Sequence, residues 1–182
     1  MRINSYKELK SVLGYEKMHL QRIGAYPTFG QKVVREHKYL LMKYIRLLRY
    51  DEYFSNKKNL VFMLPCVFVK IRRNRLGALL GVLIPNYTCE QGVVIWHYNV
   101  IVNAYAKIGK NVQFHGNNCI GNKGGDHLEA PVLGDDIDIG IGAKVIGGVH
   151  VSDSVKIGAN AVVTRDFNRK GSILVGIPAE SR

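Results

Sequence analysis

The sequence predicts a mainly β protein: a parallel β-helix preceded by an α-helical segment. Three observations carry this. Apolar residues recur at every sixth position through the second half of the 182-residue chain. Glycine is concentrated there too, with 4 before residue 81 and 15 from residue 81 onward. Charge divides the other way. Residues 1–80 hold 17 basic and 5 acidic residues, whereas residues 81–182 hold 9 of each, so the net charge of +12 belongs wholly to the first part.

The first part, residues 1–80, reads as a basic helical segment. Gln31 to Tyr50 carries Val34, Tyr39, Leu40, Leu41, Ile45, Leu47 and Leu48 with Lys and Arg between them, a broad amphipathic helical stripe. Asn4 to Leu20 is a weaker helical candidate, set apart by Pro27 and Gly30. The apolar run Leu60–Val69 reads as a buried helix or connector divided by Pro65. It leads into the basic stretch Lys70-Ile71-Arg72-Arg73-Asn74-Arg75. That stretch fits a solvated helix face or a cap on the open end of the β-helix. Residues 70–75 also suit a peripheral contact with anionic lipid.

The second part, residues 81–182, is built on a period of six. Val102, Ile108, Phe114 and Ile120 form one series. After a slip of one residue, Leu133, Ile139, Val145, Val151, Ile157 and Val163 form another. A second apolar or small residue follows four later at Ile137, Ala143, Val149, Val155 and Ala161. Six matches neither the 3.6 of a helix nor the 2 of a simple strand. It matches short strands joined by tight corners, three to a coil of about 18 residues, with coils stacked at ~4.8 Å. Between Ile120 and Leu133 the period breaks. The polar, turn-rich residues 122–131 are expected as a loop pushed out of the coil, the kind of place where function gathers.

Composition excludes several classes. Hydrophobic residues make up 47% and charged residues 22%, as in a folded globular protein. Cys66, Cys89 and Cys119 are odd in number and lack CxxC spacing, which fits reduced cytoplasmic thiols. The N-terminal residues show no apolar core of a secretion signal, and the longest apolar run is too short to span a bilayer. No nucleic-acid-binding motif accompanies the basic segment.

Six histidines are present. His19 and His37 lie in the helical segment, and His150 within regular coils; all three are expected at the surface. His97 and His115 stand 18 residues apart, each after an apolar position (Trp96, Phe114), which would place them at equivalent corners of successive coils, about 5 Å apart. His127 lies in the ejected loop. Three histidines can hold a catalytic metal, but the third here has no evident partner spacing, and no metal is expected.

The Ile-Gly hexads, the ejected loop and the stretch Ile157-Gly158-Ala159-Asn160-Ala161-Val162-Val163, followed by Val175-Gly176-Ile177-Pro178-Ala179, resemble the left-handed β-helix (hexapeptide-repeat) acyltransferases over about residues 81–180. Within them, Ile95-Trp96-His97-Tyr98 and Val100-Ile101-Val102-Asn103 resemble the segment of the serine O-acetyltransferase branch that holds its catalytic histidine. Gly124-Gly125-Asp126-His127 resembles that branch's acceptor-binding loop.

The resemblance implies a left-handed coil and direct acetyl transfer from acetyl-CoA to a hydroxyl. His97 and His115 would be catalytic, with His97 the base. His127, Asp126, Tyr98 and Asn103 would hold the acceptor. Gly142, Ala143, Ala159 and Asn160 would line the groove for the pantetheine arm, and Arg165 and Lys170 would meet the CoA phosphates. It also implies a homotrimer with the cofactor lying between neighbouring β-helices. Two departures set the order of acceptors. Trp96 stands where that branch has an aspartate, and Leu83-Ile84-Pro85-Asn86 replaces an acid-bearing stretch. The expected acceptor is therefore a sugar of a surface polysaccharide or its precursor, handled in the cytoplasm or at the inner face of the membrane, with L-serine as the alternative. Remoter alternatives are a metal enzyme like the β-helical carbonic anhydrases and a non-catalytic coil.

Overall fold

The computed structural model describes all 182 residues except Lys58, Asp126 and His127. Among the described residues the chain opens with four α-helices: α1 (Tyr6–Arg22), α2 (Phe29–Val33), α3 (His37–Ser55) and, after a 3-10 turn at Leu60–Phe62, α4 (Met63–Leu80). Several boundaries have a local cause. Ser5 caps α1 by accepting from Glu8 N–H at 3.1 Å. Thr28 and Gln31 form a reciprocal capping box on α2. Arg35, at φ 54°, separates α2 from α3, so the single helix expected over 31–50 is two. Pro65 falls in the first turn of α4, where a missing N–H costs nothing, and so does not divide it. Gly81, at φ 64°, ends α4 in the left-handed region.

One expectation is corrected here. The Leu60–Val69 run is not buried: Leu60, Val61, Leu64 and Phe68 are all exposed. The helix turns its other side to α3, through Gly77 and Leu80. Of the basic stretch, Lys70, Arg72 and Arg75 are exposed. Arg73 points inward to Asp51 at 2.8 Å and to Asn86.

Among the described residues fourteen short strands follow: β1 (Val82–Leu83), β2 (Val94–Ile95), β3 (Val100–Val102), β4 (Lys107–Ile108), β5 (Gln113–Phe114), β6 (Asn118–Gly121), β7 (Val132–Leu133), β8 (Asp138–Ile139), β9 (Lys144–Ile146), β10 (His150–Val151), β11 (Lys156–Ile157), β12 (Val162–Val163), β13 (Ile173–Val175) and β14 (Glu180–Ser181). They form the three faces of a left-handed parallel β-helix. One face is β1-β3-β6-β9-β12, the second β10-β7-β4 and the third β14-β13-β11-β8-β5-β2. Every residue of both apolar series from Val102 to Val163 is buried in the interior, as are Ile137, Ala143, Val149, Val155 and Ala161.

Corners carry a second periodicity. Gly81, Asn99, Asn117, Gly142 and Asn160 all have positive φ and stack on one edge; Gly92, Asn111, Asp136, Ser154 and Gly171 do so on another. Asparagine tolerates the left-handed region and bonds its neighbours. Asn99 donates to Asn117 at 3.0 Å, and Asn111 to Asp136 at 2.9 Å. The loop after β6 is visible as a jump in register: Gln113 pairs with Asp138 and Lys107 with Val132, twenty-five residues on rather than eighteen.

The first coil is fastened to the helices by Arg49, which is fully buried. It donates to Glu16 at 2.8 Å, to Glu52 at 2.9 Å, and to the carbonyls of Cys89 and Glu90 at 3.0 and 2.6 Å. Ile84 N–H donates to the Tyr44 hydroxyl at 3.1 Å. At the other end, the last strand edges are covered by the tail. β14 runs antiparallel on β13, Phe167 pairs with His150 and Val151, and Gly176 and Ala179 bond Val162.

Candidate active site

The histidines meet at the corner between the third and first faces, but not in the expected register. On the third face Val94 pairs with Gln113, nineteen residues on, whereas on the first face Val100 pairs with Asn118, eighteen on. The extra residue is taken up at this corner. Ile95, not Trp96, therefore continues the inward series beside Phe114. Trp96 lies half-buried on the outer side. Its ring stacks on His115 at 6.0 Å, and its Nε1 donates to Gln113 at 3.0 Å. His97 and His115 are thus neighbours but not stacked equivalents. His97 lies instead over Gly116, where any Cβ would come within 2.8 Å of the His97 Cβ and where φ is +105°.

Both histidines line one groove of about 420 Å³ with Asp138, Gly140, Ile141, Lys156, Gly158 and Ala159. His115 Nε2 lies 2.8 Å from Asp138 Oδ1 on the next strand, both side chains partly exposed. The contact is one of charge and lies off hydrogen-bond geometry, since Asp138 Oδ1 accepts from no described donor. His97 has a different neighbour. The His37 ring at the start of α3 stacks on it at 5.9 Å, and Tyr98 meets His37 edge-on at 6.1 Å. The helical segment therefore reaches the groove.

The remaining expected site residues divide. Tyr98 is exposed beside the histidines. Asn103 is not at this corner: it ends β3 at the next one, where its Oδ1 accepts from Tyr105 N–H at 2.9 Å and shapes its own turn. Ala159 lines the groove, but Ala143 is fully buried inside the coil and its carbonyl accepts from Cys119 and Asn118. Gly142 and Asn160 serve the left-handed corner ladder, their N–H groups donating to Gly116 and Ile141 carbonyls. Gly140, Ile141 and Gly158 line the groove in place of the expected Gly142, Ala143 and Asn160. Arg165 and Lys170 are exposed, engaged by Glu180 at 3.8 Å and Asp153 at 3.7 Å, and neither lines the groove. Asp126 and His127 lie outside the described residues.

His150 is exposed, bonded to Asn168 at 3.2 Å. His19, expected at the surface, is buried against Tyr15. Burial and the nearby Arg22 guanidinium hold His19 below the ordinary imidazole value. Among polar side chains, the groove residues Asp138 and Lys156, and His37 stacked on His97 beside the groove, were missed by sequence reasoning. The hexad pattern held a signal for the first two, since both precede inward isoleucines and so must point outward. Nothing in the pattern placed His37 here. Among the described residues, no group of three His, Cys, Asp or Glu side chains could hold a metal ion. No described helix is long and apolar enough to cross a membrane.

No protein-family model matches the chain. It is 39% identical over 102 residues to a serine acetyltransferase of Helicobacter pylori, a match covering 53% of this chain and 57% of that protein. It is 33% identical over 82 residues to a serine acetyltransferase of Mycobacterium tuberculosis, covering 44% and 35%. The match to the Helicobacter relative thus spans little more than half that protein's length. Among solved structures, soybean serine acetyltransferase superposes with a TM-score of 0.73 at 20% identity, over 96% of this chain and 69% of that one. The Brucella abortus serine acetyltransferase solved with coenzyme A gives 0.72 at 20%, over 97% and 68%.

Proposed function

We propose, from the premise that this chain is a serine-O-acetyltransferase-like member of the hexapeptide-repeat acyltransferase superfamily, that it transfers acetyl from acetyl-CoA directly to a hydroxyl. The observation that carries the reading is the groove in which His97 and the His115–Asp138 pair converge. His97 accepts the proton of the acceptor hydroxyl as that oxygen attacks the thioester carbonyl. The C–S bond then breaks, and the CoA thiolate leaves and takes up a proton. General-base help of this kind contributes roughly 10²–10⁴-fold. His115, beside the Asp138 carboxylate, sits where it can donate to the charge that builds on oxygen. The small residues Gly158 and Ala159 leave room for the pantetheine arm, and Lys156 brings positive charge to the groove for the phosphates of CoA.

The relatives favour L-serine as acceptor over the sugar that the sequence put first. Asp138 supports this order, because it supplies in the groove the carboxylate missing at position 96. A sugar hydroxyl is the second reading, favoured by Trp96: its indole nitrogen is tied to Gln113, so no acid stands directly before His97. We further propose a homotrimer with the groove closed by a neighbouring β-helix. A peripheral contact with anionic membrane through residues 70–75 belongs to the sugar reading, and it is supported by the exposed Lys70, Arg72 and Arg75 beside the exposed apolar side of α4.

The test is CoA release from acetyl-CoA with L-serine and with a panel of nucleotide sugars, for the wild type and His97→Ala. L-serine is expected to give the fastest release, and His97→Ala to lose roughly 10²–10⁴ in kcat. A nucleotide sugar that outruns serine moves the acceptor to the second reading. Wild-type turnover by His97→Ala would remove the base assignment.

A further inference from the structure

A cavity of about 330 Å³ lies between α1, α3 and the first coil, a size that suits a small organic molecule. It shares no lining residue with the histidine groove. Its walls are apolar, with Leu20, Leu41, Ile45 and Trp96 among them. Its charges are arranged in an unusual way.

Glu16 lines the cavity and is 5% exposed. Its Oε1 accepts from Arg49 at 2.8 Å and from Gly92 N–H at 3.4 Å. Its Oε2 is buried and accepts from no donor among the described residues. The partner carboxylate, Glu52, is fully engaged by Arg49 Nη1 and Tyr87 N–H. One guanidinium thus serves two buried carboxylates, and the unmet oxygen belongs to the one that faces the cavity. A buried carboxylate oxygen without a donor costs free energy that a bound donor would recover. The same cavity is also lined by Lys17 and Arg46, both exposed, and by the half-buried Lys38. Negative charge sits inside, an apolar stretch follows, and positive charge stands at the mouth.

We propose that this cavity binds a small zwitterion with an apolar body, its ammonium on Glu16 and its acidic group toward Lys17 and Arg46. The assignment rests on the cavity and its charges alone and stands or falls apart from the acetyl-transfer reading. Trp96 is the only tryptophan in the sequence and forms part of the wall, so its emission reports occupancy.

The probe is 4-(2-aminoethyl)benzoic acid, titrated into the full chain with selective tryptophan excitation. 2-Phenylethylamine, lacking the acid, and 4-ethylbenzoate, lacking the amine, serve as single-ended arms. A saturable change with the zwitterion is expected, with each single-ended probe weaker by at least about tenfold. Glu16→Gln should weaken the zwitterion by about tenfold and leave 4-ethylbenzoate unchanged. Gly14→Phe guards against misfolding of that variant. Gly14 lies on α1 at the cavity's exposed edge with open space where its Cβ would be, so a ring there obstructs the mouth without strain and should weaken binding. Absence of any saturable change at roughly 10 mM zwitterion, unaltered binding by Gly14→Phe, or 4-ethylbenzoate binding as tightly as the zwitterion would each overturn the proposal.

Discussion

Replacing Asp138 by Asn separates the contribution of the His115–Asp138 pair from that of the fold. The two side chains are 38% and 40% exposed, and an ion pair so open to water contributes at most about 1 kcal/mol to stability. A domain of this kind has roughly 5–15 kcal/mol to lose, so the variant stays folded. A change of about 1 kcal/mol is no more than about fivefold in any equilibrium. A larger loss of turnover therefore reports chemistry. Without the carboxylate, the imidazole cation that forms on His115 loses its counter-charge. We expect kcat to fall by about ten- to a hundredfold with KM nearly unchanged, a smaller loss than His97→Ala, because His115 assists and His97 takes the proton. The assay is steady-state CoA release across pH 6–9 on the best acceptor, beside melting curves of both variants. Two results refute the reasoning: Asp138→Asn within about fivefold of wild type at every pH, or His115→Asn costing more than His97→Asn, which would make His115 the base.

Three further outcomes follow from buried groups. Arg49→Met should destabilise the protein by about 3–5 kcal/mol in chemical denaturation, because two carboxylates and two carbonyls lose their shared donor. Adding Glu16→Gln and Glu52→Gln should return most of that loss. Burial holds the Glu16 carboxyl above the ordinary range despite Arg49, so the folded state keeps that proton longer than the unfolded chain does. Stability from this group is full below about pH 4.3 and is lost as pH rises through the raised value, so the difference between wild type and Glu16→Gln should decline upward from about pH 4. Burial pushes the Cys89 thiol up to about 11; at pH 8 iodoacetamide should label the half-buried Cys66 and Cys119 and leave Cys89 unmodified until the protein is denatured.

The fold was legible because one rule governs most of it. A period of six sends every sixth side chain inward, and each apolar residue from Val102 to Val163 that follows the rule is buried. The corner ladders were half legible. Glycine marks some corners, but Asn99, Asn111, Asn117 and Asn160 do the same backbone work at positive φ. The site was harder to read, since it depends on where the rule slips. A single extra residue between the third and first faces moves Ile95 inward and puts Trp96 on His115; spacing by eighteens had aligned His97 with His115 instead. His37 was invisible for another reason. Its place on His97 depends on how α3 packs on the coils, through Arg49 and Tyr44, which no local pattern encodes.

A stack of parallel coils has no intrinsic length. Each face ends in a row of unpaired N–H and C=O groups, the same template on which fibrils grow. The covering of the last edges by β14, Phe167 and Ala179 therefore acts as a stop to elongation. The charges it presents, Glu180 and Arg182, discourage a second molecule from adding end to end. Trimming Glu180, Ser181 and Arg182 would leave the groove's lining residues in place and expose the edge of β13. The consequence to watch for is a change in solution behaviour, from discrete particles to concentration-dependent filaments, rather than a change in turnover.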